Sequence, residues 1–268
     1  MWTALRHHGP EYLIEGVGTG VLLVAVGLFA TLLEHPSSPV HGALPWPWLR
    51  RLLMGLAMAA TVSALVYSPW GRRSGGHFNP ALTLTFLRLS RVAPWDAAFY
   101  VLAQFVGAVT GLGLVRLALG AALTHPGVHA AATVPGPHGV PAAFVAEALI
   151  AFLLMTTVLG FTNRPQLNRY TGLVVATLLV VYITFEAPWS GMSLNPARSF
   201  ASAMVGWLWS GIWIYFTAPV FGMLVAAEVY RRLARAHPVL CAKLHHDNHE
   251  RCIFVCDYPR ALDEASRR

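Results

Sequence analysis

The 268-residue chain predicts an all-α membrane protein with six transmembrane helices, two re-entrant half-helices and an inverted repeat relating its halves. Three observations carry that expectation. The chain is 56% apolar and only 12% charged, with a mean hydropathy of +0.53. Six apolar runs recur at about the length that crosses a bilayer. The tripeptide Asn-Pro-Ala occurs twice, at Asn79 and at Asn195, inside apolar stretches too short to cross. An ordinary soluble domain carries about a quarter charged residues, so this chain cannot cover a globule with polar surface. The same composition excludes a disordered chain and a disulfide-stapled secreted module. A net charge of +7 could signal nucleic acid, but Arg231, Arg232, Arg235, Lys243, Arg251, Arg260, Arg267 and Arg268 all lie in the last 38 residues. The expected partner is the lipid bilayer, with no nucleic acid.

In order, the runs are Tyr12–Leu33, Leu49–Tyr67, Trp95–Leu119, Pro141–Phe161, Thr171–Phe185 and Ser210–Arg232. The fifth is short and is expected to begin a few residues earlier. The first is not a cleavable signal, being too long, containing Glu15 and lacking a small-x-small site. Gly16, Gly18 and Gly20 in the first run and Gly107, Gly111 and Gly113 in the third allow close helix approach, where lipid gives no hydrophobic drive. An even number of spans puts both termini on one side. That side then holds Arg6, Arg72, Arg73, Arg88, Arg91, Arg164, Arg169 and the eight tail cations, 15 of the 19. The opposite connections, Glu34–Trp48 and Gly120–Val140, hold no Lys or Arg. The positive-inside bias therefore expects both termini in the cytoplasm of a cell membrane, plasma or inner.

The two short segments read Gly75-Gly76-His77-Phe78-Asn79-Pro80-Ala81 and Gly191-Met192-Ser193-Leu194-Asn195-Pro196-Ala197. Asn then Pro is an N-cap followed by a first helical residue, so each is a half-helix entered from extended backbone. One follows the second span and the other the fifth, on opposite sides. Glu15 and Glu147 sit early in the first span of each half. Gln104 and Gly107 follow Asn79 by 25 and 28 positions, and Pro219 and Gly222 follow Asn195 by 24 and 27. Broken helices in an inverted repeat mark a transport site at the midplane. On these motifs the chain resembles the aquaporin family, the major intrinsic proteins, over roughly residues 10–232. The expected organisation is a channel domain over 1–235, with halves at about 10–123 and 140–232, then a Cys/His-rich basic tail over 236–268.

Irregular backbone at membrane depth is tolerated where it lines a wet cavity or is buried in protein. The carbonyls of Gly75, Gly76, His77 and Phe78, and of Gly191, Met192, Ser193 and Leu194, form an expected ladder of acceptors. Each half-helix points about half a positive charge at the pore centre, which opposes protons and cations. Asn79 and Asn195 would cap with the side-chain oxygen and offer the amide to passing water. Arg198 is the one cation expected within the transmembrane region, and the resemblance assigns it to the outer selectivity constriction. Counting back from the Asn residues without gaps gives Ala59, Ile183 and Met192 as its neighbours. Strict water channels of the family carry an aromatic and a His at the first two positions, so this set favours larger neutral solutes such as glycerol, urea or hydrogen peroxide. Ser199, Ala203 and Tyr215-Phe216 instead match the water-channel pattern. Glu15 and Glu147 are expected to brace the re-entrant loops by accepting backbone N–H bonds. His77 packs in the vestibule wall, or gates the inner mouth with pH.

All three cysteines lie in the tail, with Cys241, Cys252 and Cys256 flanking His245, His246 and His249. Thiolate and imidazole together suit zinc, which takes four N or S ligands; the alternative is a polar tail with free thiols. The chain is thus expected to be a non-enzymatic, passive channel for water and small neutral solutes that excludes protons and ions, a homotetramer by resemblance. A secondary transporter shares the broken-helix repeat, and a closed structural or sensing member shares the fold; these are the alternatives.

Overall fold

The computed structural model describes residues 1–233, 238–246 and 249–261. Six long helices and two half-helices define the architecture: α1 (Trp2–Glu34), α2 (Pro47–Tyr67), α3 (Pro80–Arg88), α4 (Pro94–Leu119), α5 (Gly139–Thr162), α6 (Thr171–Phe185), α7 (Pro196–Gly206) and α8 (Ile212–Leu233). Among the described residues, α1, α2, α4, α5 and α8 are long and apolar enough to cross a membrane. The helix α1 begins well before the apolar run, at Trp2, and continues through Pro10; its polar start is anchored where Arg73 donates to Glu11 at 3.0 Å. The expectation that the fifth span starts early is wrong. Helix α6 begins at Thr171, after a separate short helix Pro165–Asn168, and its 15 residues span about 22 Å. The remaining depth is filled by the short helix Ala187–Ser190 and the loop that follows it.

Helices α1 and α4 meet through glycine. A Cβ on Gly107 would lie 1.9 Å from the Gly16 carbonyl oxygen, and one on Gly111 would lie 2.2 Å from that of Gly20. Gly222 on α8 lies against Ala148 on α5 in the corresponding way, at 2.2 Å. Gly113, by contrast, faces open space. The half-helices α3 and α7 enter from opposite faces and end nose to nose at mid-depth. Both described ends of the chain lie at one face, here called the tail face. There Val239, Cys241, Ala242, Leu244 and Phe254 join the same apolar core as Phe78, Phe86 and Tyr100. These residues after α8 are therefore packed into the bundle, not merely appended to it. The expected boundary at 235/236, and Arg235, Arg267 and Arg268, lie outside the described residues.

Candidate functional site

Each re-entrant loop is built around one buried carboxylate. Glu15 Oε1 accepts from the Ser74 hydroxyl at 2.8 Å and the His77 N–H at 3.0 Å; Oε2 accepts from the Phe78 N–H at 2.7 Å and the Gln104 amide at 2.8 Å. Glu147 repeats the pattern with the Ser190 hydroxyl (2.8 Å), the Ser193 N–H (2.6 Å) and the Leu194 N–H (2.9 Å). Tyrosines complete the repeat: Tyr100 donates to the Ser74 carbonyl and Tyr215 to that of Ser190, both at 2.6 Å. The loops open with Gly75 and Gly191 in the left-handed region, at φ +98° and +82°. Phe78 and Leu194 then hold φ +46° and +58° without being glycine. Such a conformation costs about 1–2 kcal/mol per residue, and the carboxylate bonds to their N–H groups hold it in place. The serine before each loop, Tyr100 and the bracing role of Tyr215 escaped the sequence reading; their equal placement in both halves was the available signal.

Asn79 and Asn195 both cap as expected. The Asn79 side-chain oxygen accepts from Ala81 N–H, and that of Asn195 from Ala197 and Arg198 N–H. The amides do something the sequence did not suggest. Asn79 Nδ2 donates to the Leu194 carbonyl and Asn195 Nδ2 to the Phe78 carbonyl, each at 2.8 Å. Each loop is thus tied to the other's asparagine. An amide nitrogen has two donors, so one N–H of each remains for the lumen.

These groups line a cavity of about 240 Å³. Gly76, His77, Phe78, Gly191, Met192, Ser193 and Leu194 all border it, with Asn79, Asn195, Arg198 and Ile183. Its apolar wall comes from stripes spaced by four: Leu22 and Val26 on α1, Met54, Met58 and Val62 on α2, Leu154 and Val158 on α5, and Val175, Leu179 and Ile183 on α6. That helical spacing was the readable signal for these residues. Ala59 is a correction. It lies one position round the helix from Met58, about 100° away, and does not border the cavity. The gapless count landed one residue off the helix face that borders the cavity, where Met58 stands. Gly75 is a second correction: its carbonyl accepts from the Leu244 N–H at 3.0 Å, and the residue does not border the cavity. Among the described residues, Arg198 Nη1 is buried without a hydrogen-bond partner. Ser199 is fully buried and bonds Thr133 and Ser193, and Tyr215 braces the loop; none of Ser199, Ala203, Tyr215 and Phe216 borders the cavity.

The tail occupies the cavity's end at the tail face. Leu244 borders the cavity directly. His77 is 4% exposed, stacked between Phe86 and Phe254, with Nε2 2.8 Å from the Ala242 carbonyl and Nδ1 3.0 Å from Thr83 Oγ1. A carbonyl only accepts, so Nε2 carries the proton. His77 therefore lines the wall and also grips the tail. Of the six expected metal ligands, Cys241, His246, Cys252 and Cys256 bring their ligand atoms within 4.8 Å of one another. His245 and His249 do not join them. Consecutive residues of a non-helical segment project to different sides, so His245 turns to the Tyr67 ring at 5.0 Å, while His249 is exposed. Hydrogen bonds from Cys241 and Cys252 hold the Cys256 thiol well below its ordinary range. Burial pulls His246 down, but its hydrogen bonds with Cys252 and Cys256 outweigh that and raise it to about 9.

The major intrinsic protein family model matches residues 6–230. The chain is 31% identical over 233 residues to a probable aquaporin TIP3-2 of Arabidopsis thaliana, covering 87% of this chain and 83% of the relative. It is 34% identical over 218 residues to nodulin-26 of Glycine max, covering 81% and 74%. Its fold is similar to that of an aquaglyceroporin from Plasmodium falciparum, with a TM-score of 0.67 at 20% identity over 84% of this chain and 96% of that one. With its paired half-helices and carboxylate-braced loops, the chain belongs to the major intrinsic protein family.

Proposed function

We propose that this multi-pass channel for water and small neutral solutes passes them passively, glycerol among them, and excludes protons and ions. The observation that carries the reading is the asparagine pair, both bordering the cavity and each with one amide N–H cross-bonded, which leaves the other for a permeant. Two donors converging from opposite half-helices orient a passing hydroxyl or water oxygen, and two positive helix ends oppose cations. Arg198 supplies donors to a lumen whose lining also holds the apolar Met54, Met58 and Ile183. A polyol suits such a lumen, with hydroxyls toward Arg198 and CH groups toward the wall. Nothing here calls for covalent chemistry.

The distribution of cations supports a cytoplasmic tail face in a cell membrane. The exposed apolar side chains Leu13, Val17, Leu102 and Val106 suit lipid or neighbouring subunits, and a homotetramer is the proposed assembly. Stopped-flow shrinkage of proteoliposomes in sucrose and in glycerol, with a trapped pH dye, tests the proposal. Protein-dependent water and glycerol flux without proton flux is expected, and Arg198→Ala should raise glycerol flux relative to water. A flux that saturates and depends on a proton or sodium gradient would overturn the channel in favour of a transporter.

A further inference from the structure

We propose that Cys241, His246, Cys252 and Cys256 form a zinc site that clamps the tail into the tail-face mouth of the pore, so that zinc occupancy closes the channel. The clamp rests on the channel reading above; the metal site does not. Three thiolates and one imidazole are a structural zinc set, and their ligand atoms already lie within 4.8 Å of one another. Tetrahedral bonds of about 2.3 Å place such ligands about 3.8 Å apart, so side-chain adjustments of about 1 Å suffice. The Cys241 and Cys252 sulfurs are at 3.5 Å, and His246 Nε2 is 3.0 Å from the Cys256 sulfur. Zinc with three thiolates carries one net negative charge, and the neighbouring cation is Lys243, 1% exposed. Its Nζ donates to the Glu250 and Arg251 carbonyls at 3.0 and 2.8 Å, fixing the turn that leads to Cys252. Tyr258 stacks on the His246 ring at 4.3 Å, which sets the imidazole's orientation. Binding releases the thiol protons to solvent and involves no change of oxidation state.

The connection to the pore is short. Cys241 and His246 bracket the segment that meets the re-entrant loop through Ala242 and Leu244. Within that bracket the Ala242 carbonyl accepts from His77, Leu244 N–H donates to the Gly75 carbonyl, and the Leu244 side chain borders the lumen. Phe254, midway between Cys252 and Cys256, stacks on His77 with ring centroids 5.5 Å apart. Every ligand thus lies within two residues of a group that touches the pore loop or lumen, and the tail cannot leave the mouth with the site intact. A ligand that binds one state favours it by its occupancy, so zinc at about a hundred times its Kd shifts the balance toward closed about a hundredfold.

The test uses the full chain, purified under reducing conditions. Metal analysis should give about one zinc per chain, lost in Cys252→Ser. In proteoliposomes, chelation should raise water flux severalfold and added zinc should restore the low rate. Cys252→Ser should be fast and indifferent to both. Leu244→Ala should keep its zinc yet leak, which separates the plug from the site should the cysteine variant fold poorly. Reduced protein that neither retains nor rebinds zinc overturns the site. One zinc per chain with flux unchanged by chelation overturns the clamp. Flux no faster than empty liposomes in every variant overturns the channel reading and the clamp together, while the zinc stoichiometry still decides the site.

Discussion

Glu15→Gln keeps the shape of the residue and changes one acceptor oxygen into a donor. The carboxylate serves four donors, two on each oxygen. Whichever way the new amide turns, its nitrogen meets the N–H of His77 or of Phe78, and that N–H loses its partner. An orphaned buried donor costs about 1–3 kcal/mol, and the remaining bonds lose charge assistance. Relief from burying a charge offsets part of this, leaving a net loss of about 2–4 kcal/mol. For a domain of this size each kcal/mol lowers the melting temperature by roughly 2–4 °C, so a drop of about 5–15 °C is expected in detergent. Water flux should fall with it, because the freed Phe78 carbonyl no longer anchors Asn195. Unfolding within about 2 °C of the parent, with parental flux, would refute the bracing role.

Gly107→Ala should destabilise the chain by at least about 2 kcal/mol, since the new methyl meets the Gly16 backbone, whereas Gly113→Ala faces open space and should be neutral or slightly stabilising; thermal unfolding of both variants checks the pair. Met58→Ala should widen the lumen and raise glycerol flux relative to water, while Ala59→Leu should leave that ratio unchanged in the same swelling assay. Asn195→Ala should cost about 1 kcal/mol as a lost cap, but should lower water flux by more than the folded fraction explains, as measured by flux per folded chain.

The fold was legible because its governing constraints are local. Apolar runs, N-capping Asn-Pro pairs and an intramembrane Glu in each half need no tertiary information to be recognised, and Glu15 and Glu147 lie where that logic puts them. Helix ends and lumen-facing residues were less accessible. Ala59 was misplaced by a count that ignored which helical face meets the lumen, although Met54, Met58 and Val62 share one face and could have been found by spacing alone. The asparagine amides reach carbonyls more than a hundred positions away, at Phe78 and Leu194, and no local pattern announces such a partner. The tail was the least readable segment. Cys241, Ala242 and Leu244 have no amphipathic period, so their burial against His77 depends on a vestibule that exists only after the helices assemble.

The reciprocal asparagine bonds bear on how such a molecule is completed. The first loop acquires its last restraint from Asn195, and the second acquires its own from Asn79. Neither half can finish its loop in isolation, so the N-terminal half must wait in the membrane, with a loosely held Phe78, until the C-terminal half has been inserted beside it. Two separately expressed halves should therefore gain protease resistance at their loops only when mixed.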